Sequence, residues 1–219
     1  MDSSVQTTAP IGILGGSFDP VHVGHLRLAL ELYELLNLSA VRMLPLNIPN
    51  HRERAGASAN MRLAMLNLVV DGERLIADDR EIRRGGVSYT IDSLESLRTE
   101  FSEQPLCLIL GADSFQGLCG WHRWEELLGF SHIVVATRPG SDSIRDPRLH
   151  RLVESAQVTE PETLHDELSG RIYFQPIPLL PISSTDIRRR VANGRDISYF
   201  VASMVAQLIK QQQLYLSVN

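Results

Sequence analysis

Gly15-Gly16-Ser17-Phe18-Asp19-Pro20-Val21-His22-Val23-Gly24-His25 stands between a short apolar run, Ile11 to Leu14, and a long apolar-periodic segment, Leu26 to Leu36. That order predicts strand, glycine turn, helix. Gly15 and Gly16 carry no Cβ, so a ligand can approach this backbone closely. Pro20 fixes its own φ and biases Asp19 towards an extended or turn shape, which restarts the chain in a new direction. The helix that follows opens with unpaired N–H groups and the positive end of its dipole, a setting that suits a phosphate. His22 and His25 stand three apart, which on a first helical turn places both imidazoles on one face. Each can donate a hydrogen bond to a phosphate oxygen.

Taken alone, Gly-Gly after a strand is an ordinary tight turn, and two histidines near a helix start could ligate a metal. No glutamate lies between them in the HExxH manner, and no third ligand is obvious nearby. Neither GxGxxG after the strand nor GxxxxGK[ST] anywhere is present, so ordinary dinucleotide binding and a P-loop are both unsupported.

The chain's bounds are those of one globular domain. It has 219 residues, 43 % hydrophobic and 21 % charged, enough for a sizeable core. A net charge of −5 offers no basic field to nucleic acid, so any phosphate ligand must be held by locally placed cations and amides. Cys107 and Cys119 form no CxxC and no disulfide framework, which fits a reducing cytoplasm. No apolar run approaches the ~20 residues of a membrane span. The start, residues 1–10, lacks the charge and apolar run of a signal peptide and reads as a loose arm. Residues 11–219 are expected to form the single domain, and assembly as a homo-oligomer is compatible with these bounds.

The complete eleven-residue string resembles the [ST]-F-D-P-x-H-x-G-H signature of the nucleotidyltransferase superfamily, most closely that of bacterial nicotinate mononucleotide adenylyltransferases. The resemblance implies that Gly15, Gly16, Ser17 and Phe18 belong to an ATP site, with His22 and His25 on the ATP phosphates. It implies an α/β fold of nucleotidyltransferase type: a Rossmann-like open parallel sheet with helices on both faces.

Alternating elements along the chain agree with that class. Leu26, Ala29, Tyr33 and Leu36 are the expected buried stripe of the first helix, and Val41 to Pro45 is the second strand. The loop Asn47-Ile48-Pro49-Asn50-His51-Arg52 follows at a carboxyl edge, where ligands of open α/β sheets bind. It resembles the family's N-x-[IV]-P-P-H-[KR], which would put Asn47, His51 and Arg52 around the mononucleotide; Asn50 replaces the second proline. Ala59 to Val70 predicts a helix capped by Ser58 or Asn60, with Met61, Met65 and Val69 on one face. Leu75 to Asp78 is a short strand, and the mixed charges Asp78 to Glu81 read as a solvated edge.

Ser88-Tyr89-Thr90 resembles the family's S-Y-T. Thr90 is the expected helix cap, Leu94, Leu97 and Phe101 the stripe, and Tyr89 and Thr90 would meet the pyridine carboxylate. Pro105 to Leu110 is the most apolar strand and should be central. Gly111 and Asp113 match G-x-D-[SAT], whose carboxylate would accept from the adenosine ribose hydroxyls. The resemblance implies that Trp121, rather than Trp124, stacks on the nicotinate ring, as the family's first aromatic does; a π-face can cover any aromatic base. His132 to Thr137 is a fifth strand, and Arg138-Pro139-Gly140 resembles R-P-G, with Arg138 near the adenine or its phosphates. Residues 141–171 read as a surface excursion holding a helix or two, with His150 and His165 facing solvent. Tyr173 to Pro178 is a last strand.

A second helix start, Pro181-Ile182-Ser183-Ser184-Thr185-Asp186-Ile187-Arg188, opens the C-terminal helical part, residues 182–219. Ser183 and Asp186 fit the capping pattern, and the helix should stop at Gly194. The segment resembles the family's closing I-S-[SA]-T-x-I-R, in which the hydroxyls of Ser184 and Thr185 and the guanidinium of Arg188 grip the β- and γ-phosphates. Arginine suits this task because its planar fork binds phosphate oxygens bidentately.

The implied reaction is adenylyl transfer from ATP to nicotinate mononucleotide, giving nicotinate adenine dinucleotide and pyrophosphate in NAD biosynthesis. Mg²⁺ would be held mainly by ATP phosphates and water, since no carboxylate cage is visible. His22, His25 and Arg188 are the candidate catalytic residues. The rival readings are a sister cytidylyl- or adenylyltransferase acting on pantetheine phosphate or nicotinamide mononucleotide, and a non-catalytic nucleotide sensor.

Overall fold

A computed structural model describes residues 8–49, 56–137, 144–178 and 180–216. Its strands are β1 (Ile11–Gly16), β2 (Ala40–Pro45), β3 (Ile48–Pro49), β4 (Leu75–Ala77), β5 (Val87–Ser88), β6 (Leu106–Gly111), β7 (His132–Thr137), β8 (Gln157–Val158) and β9 (Ile172–Pro176). The helices are α1 (Val23–Leu35), α2 (Ala59–Asn67), α3 (Arg80–Arg84), α4 (Thr90–Glu100), α5 (Ala112–Gln116), α6 (Leu127–Phe130), α7 (Pro147–Ala156), α8 (Thr163–Asp166), α9 (Ser184–Ala192) and α10 (Ser203–Gln211).

Seven strands form an open sheet in the order β4-β2-β1-β6-β7-β9-β8, and β3 and β5 make a separate two-stranded ribbon. The pairs β1–β6, β6–β7, β7–β9 and β8–β9 are all parallel, with Gly12 opposite Cys107 and Val135 opposite both Leu110 and Phe174. A strand with neighbours on both sides and helices over it must be apolar on both faces. That explains why β6 is buried from Leu106 to Leu110 and β7 is buried throughout. The central position expected for Pro105 to Leu110 is the observed one. A Cβ on Gly12 would fall about 3 Å from Leu38, Val41 and Ile109, so helix and sheet side chains close over that strand position. No described helix is long and apolar enough to cross a membrane.

The described residues group into two compact, interleaved units. One is built from Met1–Leu14, Leu32–Val41 and Tyr89–Pro178; the other from Gly15–Glu31, Arg42–Ser88 and Leu179–Asn219.

Several local expectations shift. In α1 the fully buried positions are Ala29 and Leu32, with Leu36 buried just past its end, while Leu26 and Tyr33 are only half-buried. Tyr89, with extended backbone, occupies the cap of α4, and Thr90 is its first helical residue. The run Asp78 to Glu81 is not a solvated edge: Asp78, Arg80 and Glu81 are buried. Their burial is tolerated because the Asp78 carboxylate accepts from Arg80 Nη2 at 2.8 Å and from Arg42 Nη1 at 2.9 Å, so its charge is paired and its lone pairs are used. Burial pushes that carboxyl up, but the bonds and charge of Arg80, then of Arg42, hold it below its ordinary value.

Residues 144–171 also contribute more than a surface excursion. Asp146 caps α7 by accepting from Arg148 N, and Leu149, Val153 and Ala156 form a buried stripe that leads into the edge strand β8. His150 is exposed beside Glu154, as expected. His165 is not solvent-facing: it is half-buried, with Nε2 3.0 Å from the Leu36 carbonyl.

Candidate active site

In the unit that contains Gly15–Glu31, the two histidines cap α1 reciprocally. His22 N donates to His25 Nδ1 at 3.3 Å, and His25 N donates to His22 Nδ1 at 3.3 Å. The rings stack with centroids 3.6 Å apart and planes 19° apart. A nitrogen that accepts a hydrogen bond carries no proton, so in the neutral rings both protons sit on Nε2. The consequence is a pair of Nε2–H donors available to an incoming oxyanion. Gly24 makes the fold-back feasible, since a Cβ there would lie 3.1 Å from His22 Nδ1. Phe18 is fully buried, at φ 47°, with its ring edge-on to His25 at 5.0 Å. Its side chain packs on the histidine, so the expected ATP contact of Phe18 could come from its backbone only. Gly15 has nothing within 4 Å of the place a Cβ would take, so the space there is open.

Burial lowers the His22 pKa to about 4, and burial followed by the His22 charge lowers that of His25. Both rings are therefore neutral at pH 7. Between the unfolded value of 6.5 and about 4, the unfolded chain binds the His22 proton and the native state does not. Stability from this residue is complete above 6.5 and is lost as pH falls towards 4. In urea titrations the wild type should lose roughly 3 kcal/mol more than His22→Asn over that range. Parallel pH dependences would contradict the assignment.

The second helix start lies in the same unit. Ser183 caps α9 by accepting from Asp186 N at 3.1 Å, and Gly194, at φ 64°, follows its end. Ser184 Oγ donates to the Pro20 carbonyl at 2.9 Å. Arg188 Nη1 donates to the Asp19 carbonyl at 2.7 Å, and Nη2 to Thr185 Oγ1 at 3.3 Å. The start of α9 is thus stitched to the Asp19-Pro20 turn that leads into His22. Arg188 is thereby held on the Asp19 carbonyl, two residues upstream of Val21 and three upstream of His22.

Sequence reading missed Arg62, which is 1 % exposed on α2. Its guanidinium donates to the carbonyls of Ser17 at 2.7 Å, Asn47 at 3.1 Å, Ala57 at 3.3 Å, and Leu46. Burial lowers its pKa, opposed by the charge of Asp19. The buried positions of α2 are Arg62, Met65 and Leu66, not the expected Met61-Met65-Val69 face. The available signal was an arginine in helical phase with two apolar residues. Asn47 is also committed: its N–H donates to Ser88 Oγ and its Nδ2 to the Gly86 carbonyl, which ties the ends of β3 and β5. His51 and Arg52 lie outside the described residues.

In the other unit, β6 ends at Gly111, where an added Cβ would meet nothing within 4 Å. Asp113 is exposed in the first turn of α5, whose cap is Gly111, so its carboxylate remains at a sheet's carboxyl edge. Tyr89 packs against His122 with ring centroids 4.5 Å apart, which brings the start of α4 to the Trp121 segment. Thr90 and Trp121 are half-buried. Trp124 lies under the Arg148 guanidinium at 5.9 Å. Arg138 lies outside the described residues. No cluster of three or more metal-binding side chains occurs among the described residues.

A parallel open sheet with helices between its strands, and two capped helix starts stitched at the Asp19-Pro20 turn, defines the chain as an open α/β protein. The sequence model of the cytidylyltransferase-like family matches residues 13–190. A Methylococcus capsulatus protein named probable nicotinate-nucleotide adenylyltransferase is 45 % identical over 94 % of this chain and 99 % of its own. A Pseudomonas putida protein of the same name is 43 % identical over 99 % of this chain and 100 % of its own. The nicotinic acid mononucleotide adenylyltransferase of Plasmodium falciparum, solved with NaAD, superposes with a TM-score of 0.72 at 18 % identity, covering 94 % of this chain and 97 % of that one. The chain belongs to the cytidylyltransferase-like family, among the nicotinate-nucleotide adenylyltransferases.

Proposed function

We propose that the chain transfers the adenylyl group of ATP to the 5′-phosphate of nicotinate mononucleotide. The phosphate oxygen attacks the α-phosphorus in line, the bond to the bridging oxygen breaks, and pyrophosphate leaves with those electrons. The attacking group is already anionic, so no protein nucleophile is needed. Catalysis then rests on positioning and on donors aimed at the charge that builds on the phosphoryl oxygens and leaving group.

The observation that carries this reading is the reciprocal His22–His25 capping, which leaves two Nε2–H donors beside the turn that Arg188 grips. His22 serves the α-phosphate; His25 and Arg188 serve the departing pyrophosphate, with Thr185 in support. Ser184 acts by holding Pro20. By resemblance to the family, Gly15, Gly16, Ser17, Gly111, Asp113 and Arg138 are assigned to ATP, and Asn47, His51, Arg52, Tyr89, Thr90 and Trp121 to the mononucleotide. Mg²⁺ held mainly by the triphosphate and water would supply charge neutralisation.

The discriminating experiment supplies ATP and Mg²⁺ with either the acid or the amide mononucleotide and measures pyrophosphate release. Release with the acid in strong preference is expected. Preference for the amide overturns the substrate assignment, and release with neither overturns the enzymatic one.

A further inference from the structure

Tyr215, 196 residues from Asp19 in sequence, follows α10 at φ 62°, a left-handed backbone uncommon for a bulky residue. That bend delivers its ring to the interior, where its hydroxyl donates to Asp19 Oδ1 at 2.7 Å. The same carboxylate accepts from Gly56 N at 2.7 Å and Ala57 N at 3.1 Å. Arg188 Nη1 stands 3.7 Å from Asp19 Oδ2 but donates to the Asp19 main-chain carbonyl. Gly56 fits between these groups without room to spare: a Cβ would lie 3.0 Å from the Tyr215 ring and 3.2 Å from Arg188 Cδ.

A carboxylate and a guanidinium left to themselves form a bidentate pair. Here three other donors occupy the carboxylate and fix its plane, so Arg188 cannot take both oxygens. Its bonds to the Asp19 carbonyl and Thr185 use two of its five N–H groups, and the other three donate to no acceptor among the described residues. We propose that Tyr215 is a positioning residue for adenylyl transfer: its hydroxyl, through the Asp19 carboxylate, keeps the Arg188 fork turned towards the triphosphate. The inference rests on the reading of Arg188 as a phosphate ligand. Burial, then the Asp19 charge, pushes the phenol pKa up, so the hydroxyl stays protonated as the donor.

The test is a double-mutant cycle of Tyr215→Phe and Arg188→Lys, with kinetics read separately for ATP and for the mononucleotide. Tyr215→Phe should lower kcat/KM for ATP about tenfold, the worth of one hydrogen bond involving a charged group, with KM for the mononucleotide unchanged. In the Arg188→Lys background its further effect should be below about twofold, because coupled residues are not additive. Gly56→Ala, which pushes ring and stem apart without removing a polar group, should reproduce the loss and keeps the test independent of Tyr215→Phe folding. A folded Tyr215→Phe protein with unchanged ATP kinetics, or the same tenfold loss in both backgrounds, overturns the inference alone. Wild-type kinetics for Arg188→Lys itself overturn the phosphate reading and the inference with it.

Discussion

His22→Ala is expected to lower kcat by about 10²- to 10³-fold, the typical effect of deleting one preorganised donor to a developing oxyanion. The ring stacks on His25, and each histidine's main-chain N–H donates to the other's ring. Its loss removes one Nε2–H and the ring acceptor of the His25 N–H, while the residue-22 main-chain N–H that fixes the His25 tautomer stays in place. The fold should survive, because the core residues Ala29 and Leu32 of α1, and Leu36 just beyond it, are untouched. Steady-state pyrophosphate release with circular dichroism on the same samples checks both halves. Turnover within a few-fold of wild type would remove His22 from the chemistry.

Arg62→Leu carries the largest expected stability effect. Four buried or half-buried carbonyls, those of Ser17, Leu46, Asn47 and Ala57, lose their shared donor at once. At about 1 kcal/mol for each orphaned group, the loss is roughly 4 kcal/mol, and for a chain of this length that lowers Tm by about 10 °C. Ser17 lies in the glycine turn and Asn47 before β3, so catalytic loss should accompany the destabilisation even below the melt. Thermal denaturation followed by circular dichroism measures the first effect. A shift below about 2 °C would mean that water or other donors replace the guanidinium.

The contrast between Arg62 and His22 shows which features were legible in the sequence. His22, Gly24 and His25 form a local device: a helix start, a ring folded back and a missing Cβ all fall within four residues. Ser183 and Asp186 are equally local, and the cap of α9 and its stop at Gly194 followed from them. β6 was legible because a strand buried on both faces admits only apolar residues. Arg62 was not, because its partners are backbone carbonyls, which leave no mark of their own in a sequence. Asp78 looked solvated because Arg42, one of its neutralising partners, lies 36 positions away. Thr90 looked like a cap because hydroxyls usually fill that place, whereas the chain enters α4 with Tyr89 extended and packed on His122. Tyr215 had no periodic or motif signal at all; only the closed chain brings it to Asp19.

The central claim is that two neutral imidazoles present Nε2–H groups to a triphosphate beside Arg188. The most direct measurement is NMR of the protein carrying ¹⁵N-labelled histidine, recorded free and with ATP and Mg²⁺. Among the seven histidines, His22 and His25 should show protonated Nε2 and unprotonated Nδ1 at pH 7, and their Nε2 signals should shift on nucleotide addition. Protons found on Nδ1, or Nε2 signals of both rings that ignore saturating ATP, would contradict the account.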